Sequence, residues 1–168
     1  MAGVDHVIQM GVADGDKLGV WGWSYGGYMT YWVVTHTTRF KAAMSGAGMS
    51  NVASYYGQSD VQSPWSMMYF GGSPYQDRAI YNKLSAINYL DRVTTPTLIL
   101  YGAQDVRVPP PQGREFYFGL KEKGVPTQLV LYPREGHGFR EPDHERDRWQ
   151  RSIDWFDRYV LRKGVPAS

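Results

Sequence analysis

The chain of 168 residues contains no cysteine. This absence excludes disulfide frameworks, thiolate zinc sites, iron–sulfur clusters and cysteine nucleophiles. The sequence also lacks any apolar run near the ~20 residues that a membrane-spanning helix needs. Its first residues show neither the charged start nor the apolar stretch of a signal peptide. We therefore expect a cytoplasmic protein that has no membrane partner.

An excess of charge of one sign is also missing. Eighteen Lys and Arg against 16 Asp and Glu leave a net charge of +2, too small to predict a nucleic-acid partner. The four histidines show no ligand pairing at helical spacing, so we predict no metal site and no cofactor. Hydrophobic residues make up 42% and aromatic residues 15%, which is typical of a folded globular protein.

Short apolar runs alternate with segments of helical periodicity along the chain. The predicted strands are 18–21, 40–44, 97–101 and 127–132, and the predicted helices are 2–12, 28–36, a segment within 76–90, 109–123 and 143–161. Residues 46–75 read as otherwise irregular. Strands that alternate with helices imply right-handed crossovers and a parallel sheet. We predict an α/β fold in one domain, 1–168, with about four mainly parallel strands flanked by helices.

The first strand leads into Gly22-Trp23-Ser24-Tyr25-Gly26, a G-x-S-x-G pattern between a strand and a helix. This context is the one that a nucleophile elbow requires, because a sharp turn there lifts the serine hydroxyl off the sheet. The following helix directs its first amides at the same place and stabilises negative charge. The segment lacks the lysine and hydroxyl residue of a phosphate-binding P-loop.

An acid and a histidine follow later strands. Asp105 comes after the third strand and His137 after the fourth, so the chain order is Ser, Asp, His. This is the order of α/β-hydrolases, and ligands bind at the carboxyl ends of parallel strands. We predict that Ser24 is the nucleophile, that His137 is its general base and that Asp105 orients the imidazole.

These motifs resemble those of the prolyl oligopeptidase family of serine peptidases. The similarity extends over Gly22–Tyr28, over Gly102–Pro109 and over Glu135–Phe139, with the acid motif most similar to the acylaminoacyl-peptidase and dipeptidyl-peptidase branches. The resemblance implies a truncated α/β-hydrolase fold, the triad Ser24, Asp105 and His137, and the backbone amide of Tyr25 as an oxyanion donor.

The resemblance also implies that part of the family's architecture is missing. Family members carry a β-propeller and a first half of the hydrolase domain, and that half supplies a second oxyanion donor. No residue of this sequence can be assigned that role. We expect a partial catalytic domain whose first strand, Leu18 to Trp21, has an open edge that pairs with another chain to form a homodimer or a larger homo-oligomer.

An intact triad with one oxyanion donor predicts hydrolysis of short-chain activated esters, with weak or no peptidase activity. The alternative is a catalytically incompetent fragment that acts only as a folded or interaction module. For the substrate pocket, the resemblance suggests the aromatic residues Tyr55, Tyr56 and Trp65, with Val108 at its border. Packing within the loop explains the aromatic residues equally well, and the sequence leaves both interpretations open.

Overall fold

A parallel four-stranded sheet with the strand order β1-β2-β3-β4 forms the centre of the protein. The computed structural model describes residues 1–61 and 68–163. The strands are β1 (Gly19–Trp23), β2 (Ala42–Gly46), β3 (Thr97–Gly102) and β4 (Thr127–Tyr132). The prediction of an α/β fold with about four mainly parallel strands is confirmed, and all four are parallel.

Helices connect and cover the strands. They are α1 (Ala2–Gln9), α2 (Tyr25–His36), α3 (Val52–Tyr56), α4 (Arg78–Leu84), a 3-10 helix (Ala86–Arg92), α5 (Pro111–Glu122) and α6 (Pro142–Tyr159). Within the described residues, no helix is both long and apolar enough to cross a membrane.

The ends of the helices follow from local sequence. Proline stands in the first turn of both α5 and α6, where a missing N–H costs no hydrogen bond. Gly124 follows α5 with a φ of +71°, which is the left-handed conformation that often ends a helix. Helix α3 lies inside the segment predicted to be irregular, because five residues are too few to show a helical period. Its cap is local, with the side chain of Asn51 accepting a hydrogen bond from the backbone N–H of Ser54.

Two apolar layers cover the faces of the sheet because strand side chains alternate in direction. One layer joins Tyr31 of α2 and Phe116 of α5 to Ile99 of β3. The other joins Trp155 of α6 to Met44 and to Leu98. The core is therefore built around β2 and β3, whose residues are all buried.

Strand β1 lies at an edge of the sheet, and its residues are exposed or half-buried. Trp21 remains 55% exposed, and across a shallow groove Trp149 and Ile153 of α6 are 44% and 54% exposed. Helix α6 is thus covered by the sheet only in part.

Candidate active site

The loop between β1 and α2 carries Ser24 in a strained conformation. Its φ of 61° and ψ of −119° lie outside the regions that non-glycine residues normally adopt. The backbone N–H of Ser24 donates to the carbonyl of Gly46 on β2 (2.8 Å), which holds the turn against the sheet. Such strain clusters at functional sites where the surrounding structure determines the conformation.

Glycines make this sharp turn possible. A Cβ on Gly22 would overlap the backbone of Gly26, and a Cβ on Gly27 would overlap the carbonyl of Gly46. Both contacts are with backbone atoms, which cannot rotate away as a side chain can. The glycines of the motif therefore allow α2 to start directly above the end of β1, with Ser24 at its N-terminus.

Asp105 lies in the loop after β3 and is buried. Its Oδ1 accepts hydrogen bonds from the backbone N–H groups of Arg107 and Val108, both at 2.9 Å. Its Oδ2 lies 2.9 Å from Nδ1 of His137. The two backbone donors fix the carboxylate so that one oxygen remains directed at the imidazole.

The loop after β4 carries His137. Nε2 of this histidine lies 2.8 Å from Oγ of Ser24. With Nδ1 protonated and donating to Asp105, Nε2 can accept the hydroxyl proton of Ser24. The structure thus brings the three predicted residues into one hydrogen-bonded chain. Such an arrangement is chemically able to activate a serine hydroxyl for attack on a carbonyl carbon.

Glu135 anchors the histidine loop and was not predicted from the sequence. Its buried carboxylate accepts hydrogen bonds from the backbone N–H groups of Arg140 (2.8 Å) and Glu141 (2.9 Å) and pairs with Nδ1 of His144 (2.9 Å). Burial raises the pKa of Glu135, but the hydrogen bonds from Glu141, His144 and Arg140 outweigh it and lower the pKa below its ordinary value.

Among the described residues, the same cluster has the side chains that could bind a metal ion. Ligand atoms of Glu135, Glu141 and His144 lie within 4.8 Å of one another. Each of these side chains already has a partner, since Glu141 forms a bidentate pair with Arg134 (2.7 Å) and the other two bond to each other. We therefore interpret the cluster as a set of hydrogen bonds and ion pairs that stabilises the histidine loop.

A cavity of about 500 Å³ opens beside Ser24 and His137. Among the described residues, the others that line it are Tyr25, Met49, Tyr55, Asp60, Val61, Met68, Arg107 and Val108. Most of these are apolar, and the charged pair Asp60–Arg107 is held by two hydrogen bonds of 2.5 and 3.2 Å. The hydrogen bond from Arg107 is the largest cause that lowers the pKa of Asp60.

The four predicted pocket residues have different positions. Tyr55 and Val108 are buried and line the cavity, and burial raises the pKa of the Tyr55 phenol. Tyr56 is not among the described lining residues, and its ring packs edge-on against Tyr75 and Tyr81. Trp65 lies outside the described residues. A role in substrate binding stays a prediction for all four.

Several residues that line the cavity were not predicted from the sequence. Arg107 stands inside the recognised acid motif, two positions after Asp105, so its place near the site could have been inferred. Asp60 and Met49 come from the segment predicted to be irregular, where no periodicity indicates which side chains meet. Their position depends on how that segment folds over the ends of β2 and β3.

Comparison with known proteins extends over nearly the whole chain. The family model described as "Prolyl oligopeptidase family" matches residues 1–163. "Uncharacterized peptidase YuxL" of Bacillus subtilis is 35% identical over 95% of this chain and 25% of its own length. The acylamino-acid-releasing enzyme of Arabidopsis thaliana is 30% identical over 93% of this chain and 22% of its own length.

Comparison with solved structures finds the same similarity. The uncomplexed acylaminoacyl peptidase of Pyrococcus horikoshii superposes with a TM-score of 0.89 and 29% identity, over 99% of this chain and 28% of that one. The chain thus spans about a quarter of the length of these relatives. The similarity includes the elements that carry Ser24, Asp105 and His137, because the matched region covers all of them. The chain belongs to the prolyl oligopeptidase family of serine peptidases.

Proposed function

We propose that this chain is a serine hydrolase that acts through an acyl-enzyme. The observation that carries the proposal is the hydrogen-bonded chain from Ser24 through His137 to Asp105, at 2.8 and 2.9 Å. Heavy-atom distances of 2.6–3.2 Å are those that proton transfer between a nucleophile and its base requires.

The reaction follows from this geometry. Oγ of Ser24 attacks the carbonyl carbon while its proton passes to Nε2 of His137, and a tetrahedral oxyanion forms. When the intermediate collapses, the bond to the leaving group breaks and the leaving group takes the proton from Nε2. Water then enters, gives a proton to Nε2 of His137 and attacks the acyl carbon. When this second intermediate collapses, the bond to Oγ of Ser24 breaks, Oγ takes the proton back from His137 and the acid is released. Asp105 stabilises the imidazolium in both halves.

The developing oxyanion needs hydrogen-bond donors. Helix α2 begins at Tyr25, and the first N–H groups of a helix have no partner within it. The N–H of Tyr25 therefore serves as the oxyanion donor, supported by the positive end of the helix dipole. It is the one donor that we assign from the described residues.

A site with one oxyanion donor favours substrates that have a good leaving group. Loss of one such donor typically costs about 10²–10³ in rate. Activated esters tolerate this loss because their leaving group departs readily, whereas an amide needs more stabilisation of the transition state. We therefore propose turnover of short-chain activated esters, with weak or no peptidase activity. The mainly apolar cavity beside Ser24 suits an apolar acyl group or side chain.

Labelling with a fluorophosphonate probe tests the proposal directly. We expect stoichiometric modification at Ser24, mapped by mass spectrometry, and hydrolysis of p-nitrophenyl butyrate faster than of an aminoacyl p-nitroanilide. Ser24→Ala should abolish both labelling and ester turnover. Ser152→Ala on α6 is the matched control and should retain both. Absence of labelling in folded protein would contradict the proposal and favour the non-catalytic alternative.

A further inference from the structure

The nucleophile and the histidine come from opposite edges of the sheet. Ser24 follows β1 and His137 follows β4, while β2 and β3 lie between them. Neighbouring strands are ~4.8 Å apart, so three spacings separate these edges by about 14 Å. The histidine loop must therefore reach across the sheet, and some contact must hold it above β1.

The indole of Trp23 makes that contact. Its Nε1–H donates to the backbone carbonyl of His137 at 2.9 Å. Trp23 is the residue immediately before Ser24, so a single residue is covalently joined to the nucleophile and hydrogen-bonded to the peptide of its base. A shift of the loop away from β1 would break this bond.

Neighbouring groups hold the indole in place. One side of the ring lies against Gly46 of β2, where a Cβ would overlap it. Phe139 packs edge-on at 5.3 Å, and the guanidinium of Arg148 lies over the ring at 4.7 Å. Phe139 belongs to the histidine loop and Arg148 to α6. The direction of the N–H is therefore determined by the sheet, the loop and the helix together.

We propose that Trp23 is a positioning residue that sets the distance between His137 and Ser24. The inference rests on the proposed hydrolase function for its kinetic consequence. A residue that only filled space would need the ring but not the N–H. A positioning residue needs the N–H, because this group is what contacts His137. A misplacement of about 1 Å in a catalytic group can cost on the order of 10²-fold in rate.

Trp23→Phe removes the N–H and keeps an aromatic ring. Its matched control is Trp155→Phe, because the Nε1–H of Trp155 also donates to a backbone carbonyl, that of Pro96 at 3.3 Å, within the core on α6. We expect Trp23→Phe to lower kcat for p-nitrophenyl butyrate by about tenfold, with KM changed less than about twofold. Trp155→Phe should lower the melting temperature while kcat stays at the wild-type value.

The proton of His137 that bonds to Asp105 gives a second measurement, independent of turnover. In wild-type protein and in Trp155→Phe we expect its far-downfield NMR resonance to be sharp, and in Trp23→Phe to be shifted or broadened. Wild-type protein that shows this resonance but no Ser24-dependent turnover would contradict the proposed function alone. Wild-type kcat together with an unchanged resonance in folded Trp23→Phe would overturn the positioning role.

If Trp23→Phe does not fold, Phe139→Leu is the variant that tests the same proposal. This change loosens the indole without removing its N–H, so we expect a smaller fall in kcat and a weaker shift of the resonance in the same direction. Unchanged kcat and an unchanged resonance in folded Phe139→Leu would then overturn the proposal.

Discussion

Two buried carboxylates support His137 by different means. Asp105 bonds to the imidazole itself, whereas Glu135 bonds to the backbone of the loop that carries the imidazole. Both are anchored by pairs of backbone N–H groups, which hold a carboxylate in a fixed direction. Substitution of the first should affect chemistry, and substitution of the second should affect stability most.

Asp105→Asn should reduce ester turnover strongly while the protein remains folded. An asparagine can still accept from the N–H groups of Arg107 and Val108, but its amide presents a donor to Nδ1 of His137. This favours the tautomer that cannot accept the serine proton, and the expected loss in kcat is about 10⁴-fold. The measurement is p-nitrophenyl butyrate hydrolysis with circular dichroism. Asp14→Asn, at an exposed turn remote from the site, is the control, and equal activity in both variants would contradict this role.

Glu135→Gln should destabilise the protein in a pH-dependent way. The folded-state pKa of Glu135 lies below its ordinary value, so its carboxylate stabilises the fold above the unfolded pKa of about 4.3. This stabilisation is lost as the pH falls through the folded pKa. The melting temperatures of wild type and variant should therefore differ at pH 7 and converge below about pH 4.

Glu122→Gln is the control for this comparison, because Glu122 is exposed at the end of α5. Its melting temperature should follow that of the wild type at both pH values. A difference between wild type and Glu135→Gln that stays constant as the pH falls from 7 to well below the folded-state pKa would show that the charge of Glu135 is not the stabilising feature.

At the scale of elements, the junction of β1 and α2 depends on close backbone packing. The strand and the helix meet at Gly22 and Gly26, and the adjacent helix turn contacts β2 through Gly27. Overpacking typically costs about 1–3 kcal/mol, and a backbone neighbour leaves no side chain to move aside. An added methyl group at Gly22 or Gly27 therefore has no room at this junction, whereas a Cβ on Gly26 meets no atom within 4 Å.

Gly22→Ala should disrupt this junction, since its Cβ would overlap the backbone of Gly26. We expect a lower melting temperature and loss of fluorophosphonate labelling at Ser24. Gly3→Ala in α1 is the matched control, because a Cβ there meets no atom within 4 Å. Labelling of Gly22→Ala at the wild-type rate would show that the turn tolerates the shift.

At the scale of the whole molecule, β1 leaves one edge of the sheet open. No strand among the described residues pairs with its outer side. Unpaired N–H and C=O groups on an edge are a template for another strand. Trp21 lies beside this edge in contact with Trp149, their ring centroids 5.5 Å apart, and both are exposed. A second copy presents the same edge and the same apolar groups, as a two-fold interface requires.

We therefore expect a homodimer or a larger homo-oligomer, measured by size-exclusion chromatography with light scattering. Trp21→Lys places a charge beside the edge and should shift the protein toward monomer. Phe118→Lys on α5 is the control, because Phe118 is also a large, exposed aromatic residue but lies on another element. A monodisperse wild-type monomer would contradict this expectation.

Local patterns in the sequence predicted much of the fold. The strand at 127–132 was predicted with its observed bounds, and the third strand differs by one residue at its end. The first strand was placed one to two residues early. Its open edge was expected from the resemblance alone, because an apolar run does not reveal whether its strand is central or at an edge, since both use β-branched and aromatic residues.

The sequence by itself determined which three side chains could meet. Parallel strands place their carboxyl ends on the same side of the sheet, so the sequence put Ser24, Asp105 and His137 at that side. Only the tertiary structure decided how they are held. The contact of Trp23 with His137 and that of Glu135 with His144 join residues through loops whose paths no periodicity encodes. Those contacts arise from packing between elements, and packing is a property of the folded chain.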